Sequence, residues 1–475
     1  MIGRFSREII SAAHLIKGMS SSDDIADGGF APTTKALNLI NSPGVLYWAD
    51  AVTDIDTDDR LASNGEVIAT SPDHSVFLGD NRLLVAANAS GDGTFYRYNG
   101  TKIIAAAYAT DSTNNYGKGF TDIINFAGET YVTSKELVKR WTSTGTIADL
   151  TGGAFTNTTY PHPALVFENN AFYGDKNLLL RQTAANGALA TILTLSADQV
   201  IVALGIDPGS GLMLISVTSS LNMGNTLPAI HRVMWYDGFS NKPRKSVIVE
   251  DMVTAFYHVN GTVYVGYGHR LGRLSGAGIH FLRNLTNVTF DVDDLPWKHN
   301  FAHVGNMLMV VNGASVLAYG EAITGIKTFH HIYDNQIATV TNKFRCIFNA
   351  GSDRLGVSSA TENLHRLPLT TVAGVYDPTI DTNWERFHRP IYPRSVLVEL
   401  DGAINTANIS LVYGAETDSA INSNSLSVRY TSTSIRLVEF VGFLSERVTA
   451  LRFRLGEASG SNVGVRRMTL FYDVI

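Results

Sequence analysis

The sequence predicts an all-β chain: a β-propeller of about seven blades, with an extended N-terminal arm and a C-terminal antiparallel β-sandwich. Two observations carry this. The first is a recurring hairpin signature, in which a run of alternating apolar residues meets a short Gly/Asn turn and a second alternating run follows. The turns fall at Asp80-Asn81, Ala127-Gly128, Glu168-Asn169, Pro208-Gly209-Ser210-Gly211, Asn260-Gly261, Gly305-Asn306 and Ala350-Gly351. The steps between them are 47, 41, 40, 52, 45 and 45 residues, the spacing of four-stranded blades. The second is enrichment in Tyr, Val and Thr within the runs, which favours strands over helices.

Residues 1–65 form the predicted N-terminal arm. Phe5, Ile9, Ala13 and Ile16 share one helical face, so a short amphipathic helix is expected at the start. Ser20-Ser21-Ser22, Gly28-Gly29 and Pro32 then read as extended, irregular chain, and Pro43-Gly44 is a turn before Val45-Leu46-Tyr47-Trp48. A long arm of this kind is expected to lie on another domain or subunit.

Residues 66–384 hold the seven units. Asn260-Gly261 is the clearest turn, because a type I′ hairpin needs positive φ at both central residues. Val259, Val263 and Val265 are expected in the blade cores. The 52-residue step covers either a long loop or a poorly marked blade. Six or eight blades, or two interlocked sandwiches, stand as alternatives. The ring is expected to close by sharing strands between its first and last blade, which removes exposed edges.

Residues 385–475 form the second domain. Asp377-Pro378 and Arg389-Pro390-Ile391-Tyr392-Pro393 break the pattern and read as a Pro-rich linker at its start. Six strands follow, over 395–400, 409–413, 426–430, 435–440, 449–455 and 467–474, the pattern of a small antiparallel sandwich.

Composition bounds the function. The chain has 475 residues, 45% apolar and 17% charged, which makes it globular. Its 37 basic and 43 acidic residues give a net charge of −6, without the basic excess of a tight nucleic-acid binder. Cys346 is the only cysteine, so neither an intrachain disulfide nor a Cys-based zinc site is available. No secretory signal and no apolar stretch of membrane-spanning length is read in the sequence.

No catalytic, cofactor-binding or metal site is predicted, and the chain is expected not to be an enzyme. Gly266-Tyr267-Gly268-His269-Arg270-Leu271-Gly272 misses the dinucleotide spacing and reads as a turn. Asp54, Asp56 and Asp58 match three positions of a calcium loop, but Asp59 replaces the required glycine and Gly65 the terminal glutamate. His258, His269, His280, His299, His303, His330 and His331 gather late in the chain, yet nothing fixes three of them at one point.

The two chain ends carry a resemblance. Leu15-Ile16-Lys17-Gly18-Met19-Ser20, then Ser42-Pro43-Gly44-Val45-Leu46, resembles the opening of tail-hub or nozzle proteins of short-tailed bacteriophages. Arg447-Val448-Thr449-Ala450-Leu451-Arg452-Phe453-Arg454-Leu455 and Arg466-Arg467-Met468-Thr469-Leu470-Phe471-Tyr472 are similar to the final strands of such virion proteins. The resemblance implies a structural subunit of a phage tail, made in the host cytoplasm. It implies a cyclic homo-oligomer, commonly a hexamer, below the head-to-tail connector and lining the DNA exit channel. Its partners would be the connector, other tail proteins and weakly touched double-stranded DNA. A mildly acidic chain suits a wall past which DNA slides. The competing expectations are another virion adaptor or fibre-docking protein, or a propeller that binds or cleaves glycans. A deep axial pocket lined by carboxylates and aromatics would mark the last of these.

Overall fold

The structure is a computed structural model of the 475-residue chain. It describes residues 3–10, 53–54, 74–77, 83–87, 93–97, 109–111, 116, 122–141, 147–219, 230–276, 278–285, 297–313, 315–323, 326–334, 344–349, 354–359, 364–368, 379–382, 384–415, 424–457 and 463–474. These form seven four-stranded antiparallel sheets and one eight-stranded sheet.

Two strands come from the N-terminal arm, β1 (Gly3–Ile10) and β2 (Thr53–Asp54). Blade 1 is β3 (His74–Phe77), β4 (Leu83–Ala87), β5 (Gly93–Arg97) and β6 (Ala109–Asp111). Blade 2 is β7 (Ile123–Phe126), β8 (Glu129–Thr133), β9 (Leu137–Trp141) and β10 (Ile147–Ala154). Blade 3 is β11 (Ala164–Phe167), β12 (Asn170–Asp175), β13 (Leu178–Gln182) and β14 (Ala190–Thr194). Blade 4 is β15 (Gln199–Asp207), β16 (Leu212–Ser219), β17 (His231–Tyr236) and β18 (Lys245–Val249). Blade 5 is β19 (Val253–Val259), β20 (Thr262–Tyr267), β21 (Arg270–Ser275) and β22 (Gly278–Asn284). Blade 6 is β23 (Phe301–Val304), β24 (Met307–Asn312), β25 (Ser315–Ile323) and β26 (Ile326–Asp334). Blade 7 is β27 (Phe344–Asn349), β28 (Arg354–Ser359) and β29 (Leu364–Pro368), completed on its outer side by β2.

The ring is therefore closed by the N-terminal arm, with Thr53 paired to Arg366 and Asp54 to His365. The long step in the turn spacing lies inside blade 4, in the connection from Ser219 to His231, so the unit count stays at seven. The turns form for the reason the sequence gives. Ala127-Gly128, Glu168-Asn169 and Asn260-Gly261 all hold positive φ at both residues, at 49° and 80°, 47° and 54°, and 48° and 75°. Asp80-Asn81 and Ala350-Gly351 lie outside the described residues.

The core lies between blades rather than on one face of each. Phe126 and Tyr131 of blade 2 pack with Ala171 and Tyr173 of blade 3. Phe172 of blade 3 packs with Ile201 and Met213 of blade 4, and Trp235 of blade 4 with Val263 and Val265 of blade 5. A sheet covered on both sides buries both sets of alternating side chains. All six residues of β24 are buried, as are the middle six of β15. Val259, Val263 and Val265 are likewise buried.

The eight-stranded sheet comprises β1 and the C-terminal strands β30 (Thr379–Asp381), β31 (Glu385–Ile404), β32 (Ile409–Ala415), β33 (Asn424–Val428), β34 (Ile435–Val441), β35 (Val448–Glu457) and β36 (Val465–Val474). The 20-residue β31 pairs with β35 near its start and with β34 and β36 farther on. The β31–β35 pairing thus joins two strands that stand apart in the sheet order. Val396, Val398, Phe440, Phe453 and Leu470 fill the interior.

Three expectations need correction. Residues 3–10 form a strand paired with β36, not an amphipathic helix. The spacing of Phe5 and Ile9 also suits a β-edge whose last two residues, Ile9 and Ile10, turn inward and are buried. The proline-bounded segment 389–393 is not a linker but part of β31. Its register breaks between Arg386 and Ile391 and again between Pro393 and Ser395. Pro390 and Pro393 lie at those breaks, where a missing N–H costs no ladder bond. The C-terminal sheet also takes in β30, upstream of the expected boundary at 385. One buried apolar cluster runs from Val259, Leu308 and Leu317 of the propeller into Val396, Phe440 and Phe453 of this sheet.

Candidate functional site

The most concentrated polar chemistry among the described residues lies where blade 6 meets blades 2 and 3. A short 3-10 turn, Trp297–Asn300, immediately precedes β23. It packs on β19, β23 and β27, the first strands of blades 5, 6 and 7. Its polar side chains reach blades on the other side of the ring. Lys298 Nζ donates to Asp122 Oδ2 at 2.7 Å and to the Ala164 carbonyl at 2.8 Å, and His299 Nε2 lies 3.2 Å from Asp122 Oδ1. Asp122 stands just before β7 and Ala164 opens β11. In a seven-membered ring, blades 2 and 3 face blade 6. A segment that touches both sides must cross the axis, at the end where the inner strands begin.

Asp122 is the hub of this crossing. Its side chain is 3% exposed. The carboxylate also accepts from the backbone N–H of Ile123 at 2.7 Å and of Ala164 at 2.7 Å. Its own N–H donates to Thr133 Oγ1 at 2.6 Å. Burial pushes the carboxyl up, but the Lys298 ammonium and His299 outweigh it and hold the pKa below the ordinary carboxylate value. The arrangement satisfies a buried anion from all sides. With every carboxylate oxygen engaged by these donors, Asp122 joins the crossing turn to blades 2 and 3.

At the opposite end of the same inner strands, Tyr257 Oη lies 2.9 Å from His303 Nδ1 and Asn260 Nδ2 donates to Asn306 Oδ1 at 2.5 Å. These contacts pin blade 5 to blade 6. Burial raises the Tyr257 phenol to about 12, and burial followed by His303 lowers the His258 imidazole.

The late histidines are therefore dispersed. His258 and His303 sit on neighbouring blades, His299 on the axial crossing, His269 in the β20–β21 turn and His280 on the outer strand β22. His330 and His331 lie on β26, opposite Ala318 and Leu317. Among the described residues, no three His, Cys, Asp or Glu side chains come together as a metal site. Asp54 is in β2, while Asp56 and Asp58 lie outside the described residues. The Gly266–Gly272 segment is the β20–β21 hairpin, with Gly268 at φ 52°. Cys346 lies on β27. Sequence reasoning singled out His299 but not Asp122 or Lys298, because no motif joins residues 176 positions apart.

The C-terminal domain carries an open groove of about 370 Å³, lined among others by Tyr392, Arg394, Phe443, Leu444 and Asp473. Its charges are internally matched. Arg394 Nε donates to Asp473 Oδ2 at 2.7 Å, and Arg447 Nε to Tyr392 Oη at 2.8 Å.

Comparison with known proteins adds the fold alone. No protein-family profile and no curated protein matches the chain. Among solved structures, a chain of the mitotic checkpoint complex is 11% identical, with a TM-score of 0.42, over 68% of this chain and 95% of that one. The Pan2 WD40 domain of Neurospora crassa is 8% identical, with a TM-score of 0.43, over 67% of this chain and 94% of that one. YCF48 bound to D1 peptide is 11% identical, with a TM-score of 0.43, over 65% and 96%. These are likenesses of propeller to propeller, and nothing about function follows from them. No helix among the described residues is long and apolar enough to cross a membrane.

Proposed function

We propose that this chain is a structural subunit of a tailed-bacteriophage virion. In this reading like copies form a cyclic ring, a tail nozzle or hub, around the DNA exit channel below the head-to-tail connector. The reading rests on the resemblance at the two chain ends. The observation that supports it over a glycan-acting propeller is the turn at 297–300, which crosses the axial end where a substrate would enter, with Lys298 and His299 bonded to Asp122. The shared apolar cluster of propeller and C-terminal sheet also suits a stiff wedge with two unlike sides. Head-to-tail packing of such a body closes when the rotation divides the circle, and six is the ring size the resemblance implies. The connector, other tail proteins and passing double-stranded DNA are its partners in this reading, the last held weakly.

The test is the particle. Imaging should place several copies symmetrically around the tail axis. A single copy, or one on a peripheral fibre, refutes the nozzle reading. Purified protein given polysaccharide, ester, phosphate and peptide substrates should show background rates. A reproducible rate abolished by one Asp or Glu substitution near the axis would promote the glycan-acting alternative.

A further inference from the structure

The N-terminal strand has a design that its role in one chain does not explain. Every pairing of β1 is to β36, from Gly3 opposite Val474 to Ile10 opposite Met468. Phe5 stacks on Tyr472 with ring centroids 6.0 Å apart, and Ile9 and Ile10 are buried. Arg7 anchors it, with Nε 2.8 Å from Glu385 Oε2 and Nη1 donating to the Arg386 carbonyl at 3.0 Å. Yet among the described residues β1 is the last strand of its sheet and pairs on one side only, so its departure interrupts no other described pairing.

The next described strand, β2, belongs to blade 7 of the propeller. Forty-two residues, 11–52, separate the two. At ~3.5 Å per residue such a connector reaches up to about 150 Å. A compact chain of this length has a radius of gyration of roughly 23 Å. The connector therefore does not dictate which copy's β36 receives the strand. The contacts are the same in either case, so exchange between like copies forfeits none of them. In a ring, the neighbour's sheet competes at an effective concentration comparable to the chain's own. Burial raises the Glu385 carboxyl to about 7 against the pull of Arg7.

We propose that β1 is an exchangeable strand, and that in the assembled ring it leaves its own C-terminal sheet and pairs with β36 of the adjacent copy. This rests on the ring reading above and adds the element that ties one subunit to the next. Each copy would give a strand on one side and receive one on the other, which fixes the direction of packing around the ring.

The register supplies the test. Phe5 and Tyr472 are directly opposite and neither is in the core. In a Cys346→Ser background, Phe5→Cys and Tyr472→Cys are made singly in differently tagged chains and together in one chain. The tagged singles are mixed during assembly, all samples are oxidised, and products are resolved on non-reducing gels beside light scattering of the same samples. Exchange predicts a covalent dimer holding both tags, and a ladder of linked copies from the double variant. A ring whose double variant forms only intrachain bonds, with no doubly tagged dimer, overturns exchange and leaves the ring standing. A persistent monomer with intrachain bonds overturns exchange and leaves the ring to be judged on the particle. A double variant that forms no bond refutes the β1–β36 pairing on which exchange depends.

Discussion

Lys298→Met isolates the axial brace, because it removes the cation and keeps most of the packing volume. Asp122 is 3% exposed and cannot recruit water in its place, whereas Lys298 is 22% exposed. Stripping one partner from a buried ion pair costs about 3–5 kcal/mol. The retained donors at Ile123, Ala164 and His299 argue for the lower end, about 3 kcal/mol. Asp122→Asn is expected to cost less, about 1–3 kcal/mol, since it removes the charge but turns an amide donor toward backbone N–H groups. Urea unfolding measures both. The pH dependence is the sharper readout. In the native chain the Asp122 pKa is lowered below 3.8, so its contribution is complete above that value and is lost as pH falls through the folded pKa. Without Lys298, two of the influences that lower the folded pKa are lost, so it moves up toward the unfolded value and the loss of stability on acidification becomes shallower. A Lys298→Met protein within about 0.5 kcal/mol of wild type, the scatter of ordinary surface substitutions, with an unchanged pH slope, would refute the brace.

Glu385 gives the opposite pH behaviour. Its carboxyl is raised from 4.5 to about 7, so stability should fall as pH rises from 4.5 to 7 and then level. A shift of that size corresponds to about 3 kcal/mol, and Glu385→Gln should flatten the difference between unfolding curves at pH 5 and pH 8. Gly205 of β15 lies against Phe256 of blade 5, and a Cβ there would overlap the Phe256 side chain. Gly205→Ala should therefore destabilise by about 1–3 kcal/mol through overpacking between blades, read as a lower denaturant midpoint. Ala127 holds φ 49° in the β7–β8 turn, and Ala127→Gly should stabilise by about 0.5–1 kcal/mol, read as a higher denaturant midpoint.

What could be read from the sequence follows from how local each cause is. Asn260-Gly261 announces its hairpin because two adjacent residues must both take positive φ. The C-terminal strands show because apolar residues alternate along a half-buried sheet, as in β32, where Ile409, Leu411 and Tyr413 are buried. Inner strands such as Gln199–Asp207 are plain apolar runs, since a blade on either side buries both faces. The start of the chain misleads because Phe5 and Ile9 fit a helical spacing as well as a strand edge. Pro390 and Pro393 mislead because proline usually ends a strand, and only the partners' register shows that they sit at breaks. The axial brace is wholly non-local: Asp122 and Lys298 meet only because blades 2 and 6 face each other across the ring.

The two N-terminal strands place these features in one mechanical scheme. β2 is the outer strand of blade 7, so residues 53–54 join the start of the chain to the end of the propeller. β1 completes the edge of the C-terminal sheet. A propeller closed in this way does not open at its first or last blade without losing β2. The crossing at 297–300 adds a tie along the diameter, from blade 6 to Asp122 and Ala164. Rim closure, a diametric tie and a core continuous with the second domain all resist shear of one blade against the next. In the proposed ring, a body that transmits load between neighbours would gain from each of the three, with β1 the strand proposed to join one copy to another.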